Sequence, residues 1–123
     1  DLTQFLFAAD RAHPRLAERY DCLSPTVMRY LSRVVKLVAG TKVSLGVCGE
    51  MGGRPLEAMA LLGIGIERLS ITPAGVGPVK AMIRSLDLAA LRADIPAMLA
   101  QPTANPRGQY LAWARSHAVD LSD

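Results

Sequence analysis

Between Val43 and Ile71 the hydrophobic pattern switches period twice, from a short apolar run to a helical stripe and back to a short run. Val43-Ser-Leu-Gly-Val47 is partly β-branched, too short for a helix and bounded by turn residues, so it reads as a buried strand closed by Cys48. Gly49-Glu-Met-Gly-Gly-Arg-Pro55 then forms a glycine-rich turn into a helix expected over Pro55 to Leu62, ended by Gly63 and Gly65. Arg68-Leu-Ser-Ile71 is a second short strand, stopped by Thr72-Pro73. Strand, helix, strand in this order argues for an α/β chain with a parallel sheet and right-handed crossovers. Two clear strands, with a possible third before Leu2, cannot close a barrel.

The flanking sequence supplies helices. Ser24-Pro25 reads as an N-cap and first helical position, followed by Met28, Leu31, Val35 and Val38 at helical spacing, with Gly40 as the stop. After Gly75-Val-Gly-Pro78 a further helix is expected with Val79, Met82, Ile83 and Leu86 on one face. Asp87 can cap the next, which carries Leu88, Leu91, Ile95 and Met98; Pro96 inside it should bend or break it. A last helix is expected from Asn105-Pro106 to about His117. Gln101-Pro-Thr-Ala-Asn-Pro106 reads as a loop between helices, because the segment C-terminal to it is too short to fold alone, so residues 1–123 are taken as one unit.

Half of the 123 residues are apolar, enough for a core. The apolar windows are broken well before the roughly 18 residues a membrane span needs. No signal pattern opens the chain, and its start at Asp1 rather than Met leads us to expect an upstream extension. The net charge of +3 comes from scattered arginines and aromatic residues are few, which argues against a nucleic-acid partner. Cys22 and Cys48 lie apart without paired spacing, so neither a zinc site nor a disulfide framework is expected, and the cytoplasm is the natural compartment.

Cys48 has the most suggestive position. A thiol at the carboxyl end of a parallel strand, with bare backbone at Gly49 and a helix N-terminus beyond, is placed to meet an anionic substrate. Residue type alone favours a packed, inert cysteine; glycines at a strand end favour close approach of a ligand. Glu50 could be an acid or base, but a structural role is preferred, either capping the helix that starts near Pro55 or ordering the loop. Cys22 reads as packing, and Arg15, Arg19 and Arg33 as solvated helix faces. Arg11, read by itself, is a surface residue paired with Asp10.

The run Val43-Ser-Leu-Gly-Val-Cys-Gly-Glu-Met-Gly-Gly-Arg-Pro55 resembles the cysteine signature of the phosphoenolpyruvate-utilising enzymes, most closely Enzyme I of the sugar phosphotransferase system. Asp1-Leu-Thr-Gln4, Ala9-Asp-Arg11, Leu61-Leu-Gly-Ile-Gly65, Leu69-Ser-Ile71 and Gly77-Pro-Val-Lys-Ala-Met-Ile-Arg-Ser85 agree with other segments of that family, with a weaker likeness through Gln101-Pro-Thr103. The resemblance implies the C-terminal portion of a (β/α)8 TIM barrel, two to three parallel strands with their helices. It further implies that phosphoenolpyruvate binds with magnesium at the strand ends, and that its phosphoryl group passes to a histidine on a mobile domain and on to a histidine phosphocarrier protein. Neither His13 nor His117 matches that histidine. In this reading Cys48 protonates the enolate to give pyruvate, as a partly buried general acid. Arg11 holds the phosphate, Asp1 contacts substrate through a magnesium ion, and Gly49 lines the substrate. Tyr110 and Trp113 are expected to pack the last helix against the absent part of the barrel, and the complete enzyme to be a homodimer.

Gly52 and Arg54 depart from the commoner Ala-Gly-Asp loop, and with Pro55-Leu-Glu-Ala-Met-Ala60 look more like the nitrogen-related Enzyme I. Pyruvate phosphate dikinase and phosphoenolpyruvate synthase, which share the cysteine loop, are the alternatives within the family. A catalytically idle α/β piece that associates through uncovered apolar faces is the alternative outside it. On the first reading, the 123 residues alone are expected to be inactive.

Overall fold

The computed structural model describes residues 1–10, 12–19 and 21–122. Among them the order is α1 (Leu2–Phe7), a 3-10 turn at Pro14–Arg19, α2 (Pro25–Val38), β1 (Val47–Cys48), a 3-10 turn at Glu50–Gly53, α3 (Pro55–Ile64), β2 (Leu69–Ser70), α4 (Pro73–Ser85), α5 (Leu88–Ala100) and α6 (Pro106–Ser116). Proline occupies the first helical position of α2, α3, α4 and α6, where its missing N–H costs no helical bond. Three caps are made by the side chains the sequence singles out. Ser24 Oγ accepts from Val27 N at 3.4 Å, Asp87 Oδ1 from Ala90 N at 3.0 Å, and Asn105 Oδ1 from Gly108 N at 2.8 Å; such caps contribute about 1 kcal/mol each.

The helix α3 is apolar nearly all round, and a helix of that kind belongs in the interior. Apart from Leu56 every residue in it is buried, and α2, α4, α5 and α6 pack around it. Leu23, Met28, Leu61, Met82, Leu91 and Tyr110 fill the core between these helices. The two strands pair in parallel, Val47 opposite Leu69 and Cys48 opposite Ser70, and α3 is the crossover between them.

Several expectations need correction. The strand expected to be buried over residues 43–47 is paired only at its last residue and at Cys48, and Val43 is 61 % exposed. Its only pairing among the described residues is with β2, so no second neighbour among them extends the ladder. The two strands expected are the two found among the described residues, and Leu2 starts a helix. Gly63 does not end α3. A Cβ there would lie 3.0 Å from the side chains of Ile95 and Leu91, so its role is close packing on α5; the stop is Gly65, left-handed at φ 102°.

Proline behaves less disruptively than its reputation suggests. The helix α4 begins at Pro73, before the Gly75-Val-Gly-Pro78 stretch, and contains Pro78. Pro96 lies within α5 without breaking it, because Ile95 and Met98 on either side are buried against the core and offset the lost backbone bond. On α4, Val79 and Met82 are buried but Ile83 is 46 % exposed. Residues 101–105 form the expected loop. Tyr110 and Trp113, at 2 % and 8 % exposure, are buried in this chain's own core, with Trp113 Nε1 donating to Asp94 Oδ2 at 2.8 Å. No helix among the described residues is long and apolar enough to cross a membrane.

Candidate active site

Cys48 and Ser70 end the two strands opposite one another, and both are exposed. Val47 N donates to Arg68 O at 2.9 Å, holding the ladder just before them. Gly49 follows at φ 103° and ψ −177°, a region of backbone space reached essentially by glycine alone. That turn carries the chain from the thiol into Glu50–Gly53. The 3-10 segment docks between β2 and α4 because glycine is bare on both sides of the contact: a Cβ on Gly52 of the segment would lie 3.1 Å from Ile71 Cγ2, and one on Gly75 of α4 would lie 2.9 Å from the Gly53 carbonyl oxygen.

An open groove of about 460 Å³ is lined by Gly46, Val47, Cys48, Glu67, Arg68, Leu69 and Ser70. Its charges are partly engaged. Glu67 Oε1 accepts from Arg92 Nη2 at 2.6 Å and Arg68 Nη1 donates to Ser44 Oγ at 3.2 Å. The Cys48 thiol is therefore open to solvent and not partly buried, since the described residues wall the groove on the sheet side only. Glu50 is exposed in the 3-10 turn and does not cap α3, whose N-cap is Arg54 without a side-chain bond.

Cys22 is a different kind of thiol. Burial, reinforced by the Glu57 carboxylate, pushes it from 9.0 up to about 11, so it stays protonated and unreactive near neutrality. The structural role expected for it agrees with this.

Asp1 is the exposed N-cap of α1, and its carbonyl accepts from Phe5 N at 3.2 Å. A hollow on that helix is lined by Gln4, Phe5, Ala8, Ala9 and Asp10, and shares no residue with the groove at Cys48. Arg11 lies outside the described residues. No group of three or more His, Cys, Asp or Glu among the described residues is placed to hold a metal. One carboxylate falls far short of the octahedral oxygen shell magnesium requires, so these residues do not by themselves form a magnesium site.

Two features escaped the sequence reading. Ser70 stands in register with Cys48; the matching apolar-then-polar order of Val47-Cys48 and Leu69-Ser70 was its only signal. Glu57, inside the apolar α3, is the buried charge among the described residues and meets Arg107 of α6 at 2.7 Å.

The model of the family described as "PEP-utilising enzyme, PEP-binding domain" matches residues 1–88, from Asp1 through Cys48 to the start of α5. The chain belongs to this family. Its two parallel strands, crossover helix and surrounding helices agree with the C-terminal part of the PEP-utilising α/β barrel domain. The chain is 36 % identical over 92 residues to Multiphosphoryl transfer protein 1 of Escherichia coli (strain K12), covering 75 % of this chain and 11 % of that protein. It is 38 % identical over 84 residues to the Multiphosphoryl transfer protein of Rhodobacter capsulatus, covering 68 % and 10 %. A protein of Salmonella typhimurium (strain LT2) named for the phosphoenolpyruvate-dependent phosphotransferase system is 38 % identical over 87 residues, covering 71 % and 12 %. The chain thus spans about a tenth of the length of these relatives.

Proposed function

We propose that the chain is the cysteine-bearing part of a phosphoenolpyruvate–protein phosphotransferase of the Enzyme I type. The observation that carries the proposal is an exposed thiol at a parallel strand end, followed by a glycine-only turn, within the segment matching the PEP-binding family. After the phosphoryl group of phosphoenolpyruvate leaves for a histidine, the enolate needs a proton on its methylene carbon. The Cys48 S–H bond breaks, the carbon takes the proton to give pyruvate, and the bonding pair remains on sulfur. Gly49 lets substrate approach the backbone beside the thiol, because it carries no side chain and nothing lies within 4 Å of where one would begin.

In the same reading Arg11 holds the phosphate, and Asp1 supplies one oxygen toward magnesium, the remaining ligands lying elsewhere in a longer homodimeric, cytoplasmic protein. A histidine phosphocarrier protein is the acceptor. The Gly52-Gly53-Arg54 loop favours the nitrogen-related branch.

The test is Cys48→Ser in the intact protein carrying this chain, supplied with phosphoenolpyruvate, magnesium and the acceptor protein. Turnover to pyruvate is expected to fall by about 10²- to 10⁴-fold, the usual contribution of a general acid, while phosphoenolpyruvate still binds. Unchanged turnover would sink the assignment. The 123 residues alone are expected to transfer no phosphoryl group, because transfer needs the charged groups positioned together.

A second reading is favoured by Phe5, Leu37 and Val43, which are 77 %, 69 % and 61 % exposed: the isolated chain associates through these faces. Sedimentation showing a monomer at high concentration removes it.

A further inference from the structure

Ser70 ends β2 directly opposite Cys48, and in a parallel ladder residues in register send their side chains to the same face, with strands about 4.8 Å apart. Both side chains are exposed and both line the same groove. Most other serines have their hydroxyls engaged: Ser24 caps α2, Ser44 accepts from Arg68, and Ser85 and Ser116 donate to backbone carbonyls. The Ser70 hydroxyl, by contrast, makes no hydrogen bond to the described residues. A hydroxyl left free at a strand end, beside a thiol left free at the neighbouring strand end, is a donor facing a group that becomes an acceptor once it has lost its proton.

We propose that Ser70 is a positioning residue for Cys48, its Oγ–H donating to the sulfur and holding the thiolate that remains after proton delivery. This rests on the reading of Cys48 as the proton donor. When the S–H bond breaks toward the enolate carbon, negative charge collects on sulfur, and a hydrogen bond to the charged form favours that form. Ser70 thus acts on the sulfur that is left behind, without touching the reacting carbon. The other charged groups bordering the groove are Glu67, neutralised by Arg92, and Arg68, bonded to Ser44, with Glu50 two residues along the chain from Cys48.

The experiment is the pH dependence of Cys48 alkylation by iodoacetamide, followed by mass spectrometry at that residue, in the intact protein carrying this chain and in its Ser70→Ala and Ser70→Thr variants. No phosphoenolpyruvate is present, so the result does not depend on turnover. Ser70→Ala is expected to move the alkylation midpoint upward and to slow alkylation at pH 7 about 3- to 10-fold, with Ser70→Thr restoring it. Superimposable profiles for all three proteins overturn the proposal, as does an Ala variant whose loss Thr does not restore. A shifted profile combined with undiminished pyruvate formation in Cys48→Ser upholds the pairing and overturns instead the role of Cys48 as proton donor.

Discussion

Glu57 and Arg107 meet at 2.7 Å across an interval of fifty residues, joining the first turn of α3 to the first turn of α6. Glu57 is 3 % exposed and Arg107 39 %; the guanidinium also reaches Asp21 Oδ2 at 3.1 Å, while Arg54 Nη1 stands 3.7 Å from Glu57. Burial pulls the Arg107 guanidinium down and the bond and charge of Glu57 outweigh it, so Arg107 stays charged.

Arg107→Met leaves a buried carboxylate with only the exposed Arg54, 3.7 Å away, and is expected to cost about 3 kcal/mol in urea unfolding. Glu57→Met combined with Arg107→Met is expected to recover most of that loss, since apolar packing of similar volume replaces such a pair at little cost. An unchanged midpoint in the single variant contradicts the account.

Gly49→Ala and Gly75→Ala test two different demands on glycine. At Gly49 there is open space for a Cβ, so the expected loss of about 1–3 kcal/mol is entirely backbone strain at φ 103°. At Gly75 the new carbon would press on the Gly53 carbonyl at 2.9 Å, and an overpacking loss of about 1–3 kcal/mol is expected from sterics instead. Thermal unfolding of both variants checks these values. A neutral Gly49→Ala variant would show that the turn relaxes.

The two thiols should part company in a single labelling experiment. Cys48, exposed at the strand end, is expected to react with a disulfide reagent in the folded state at about pH 7.5, and Cys22 at least about tenfold more slowly until the fold is opened by denaturant. Equal rates in the folded state contradict the burial of Cys22.

Alkaline pH should weaken the fold in two overlapping stages. Cys22 rises from 9.0 to about 11 and Tyr110 from 10.0 to about 12 on folding, both through burial. Below pH 9 both groups are protonated in either state, so nothing is lost. Between pH 9 and 11 the unfolded chain releases the Cys22 proton while the folded chain keeps it, and between 10 and 12 Tyr110 does the same; stability falls as pH rises through both windows. Tyr110 Oη is buried with no hydrogen-bond partner among the described residues, so Tyr110→Phe is expected to be neutral or to stabilise by about 1 kcal/mol at pH 7 and to flatten the second stage. Denaturant titrations at pH 8, 10 and 11.5 read both effects, and an unaltered slope in the Phe variant refutes the second.

Local chemistry was legible in the residues themselves. Ser24, Asp87 and Asn105 announce their helices because a cap depends on neighbours three residues away, and Cys48 with its glycines announces a strand end for the same reason. Strand length was not legible: pairing of residues 43–46 depends on what lies beside them, which no local pattern encodes. The surface that Tyr110 and Trp113 cover is not legible either, because an aromatic face on a terminal helix does not name its neighbour; both are buried in this chain's own core. Ser70 went unnoticed because its significance is a register relation with a residue twenty-two positions away. Arg11 could be weighed only by its spacing, and the described residues add nothing to it.

The sheet that carries Cys48 is two residues long on each strand, whereas α3 directly after it is buried almost end to end. Amide protons in α3 should therefore exchange with solvent only when the whole chain opens, and those of β1 and β2 through small local fluctuations. The exposed sulfur of Cys48 is thus expected to hang from weakly protected backbone beside a strongly protected helix, free to shift while the core stands still.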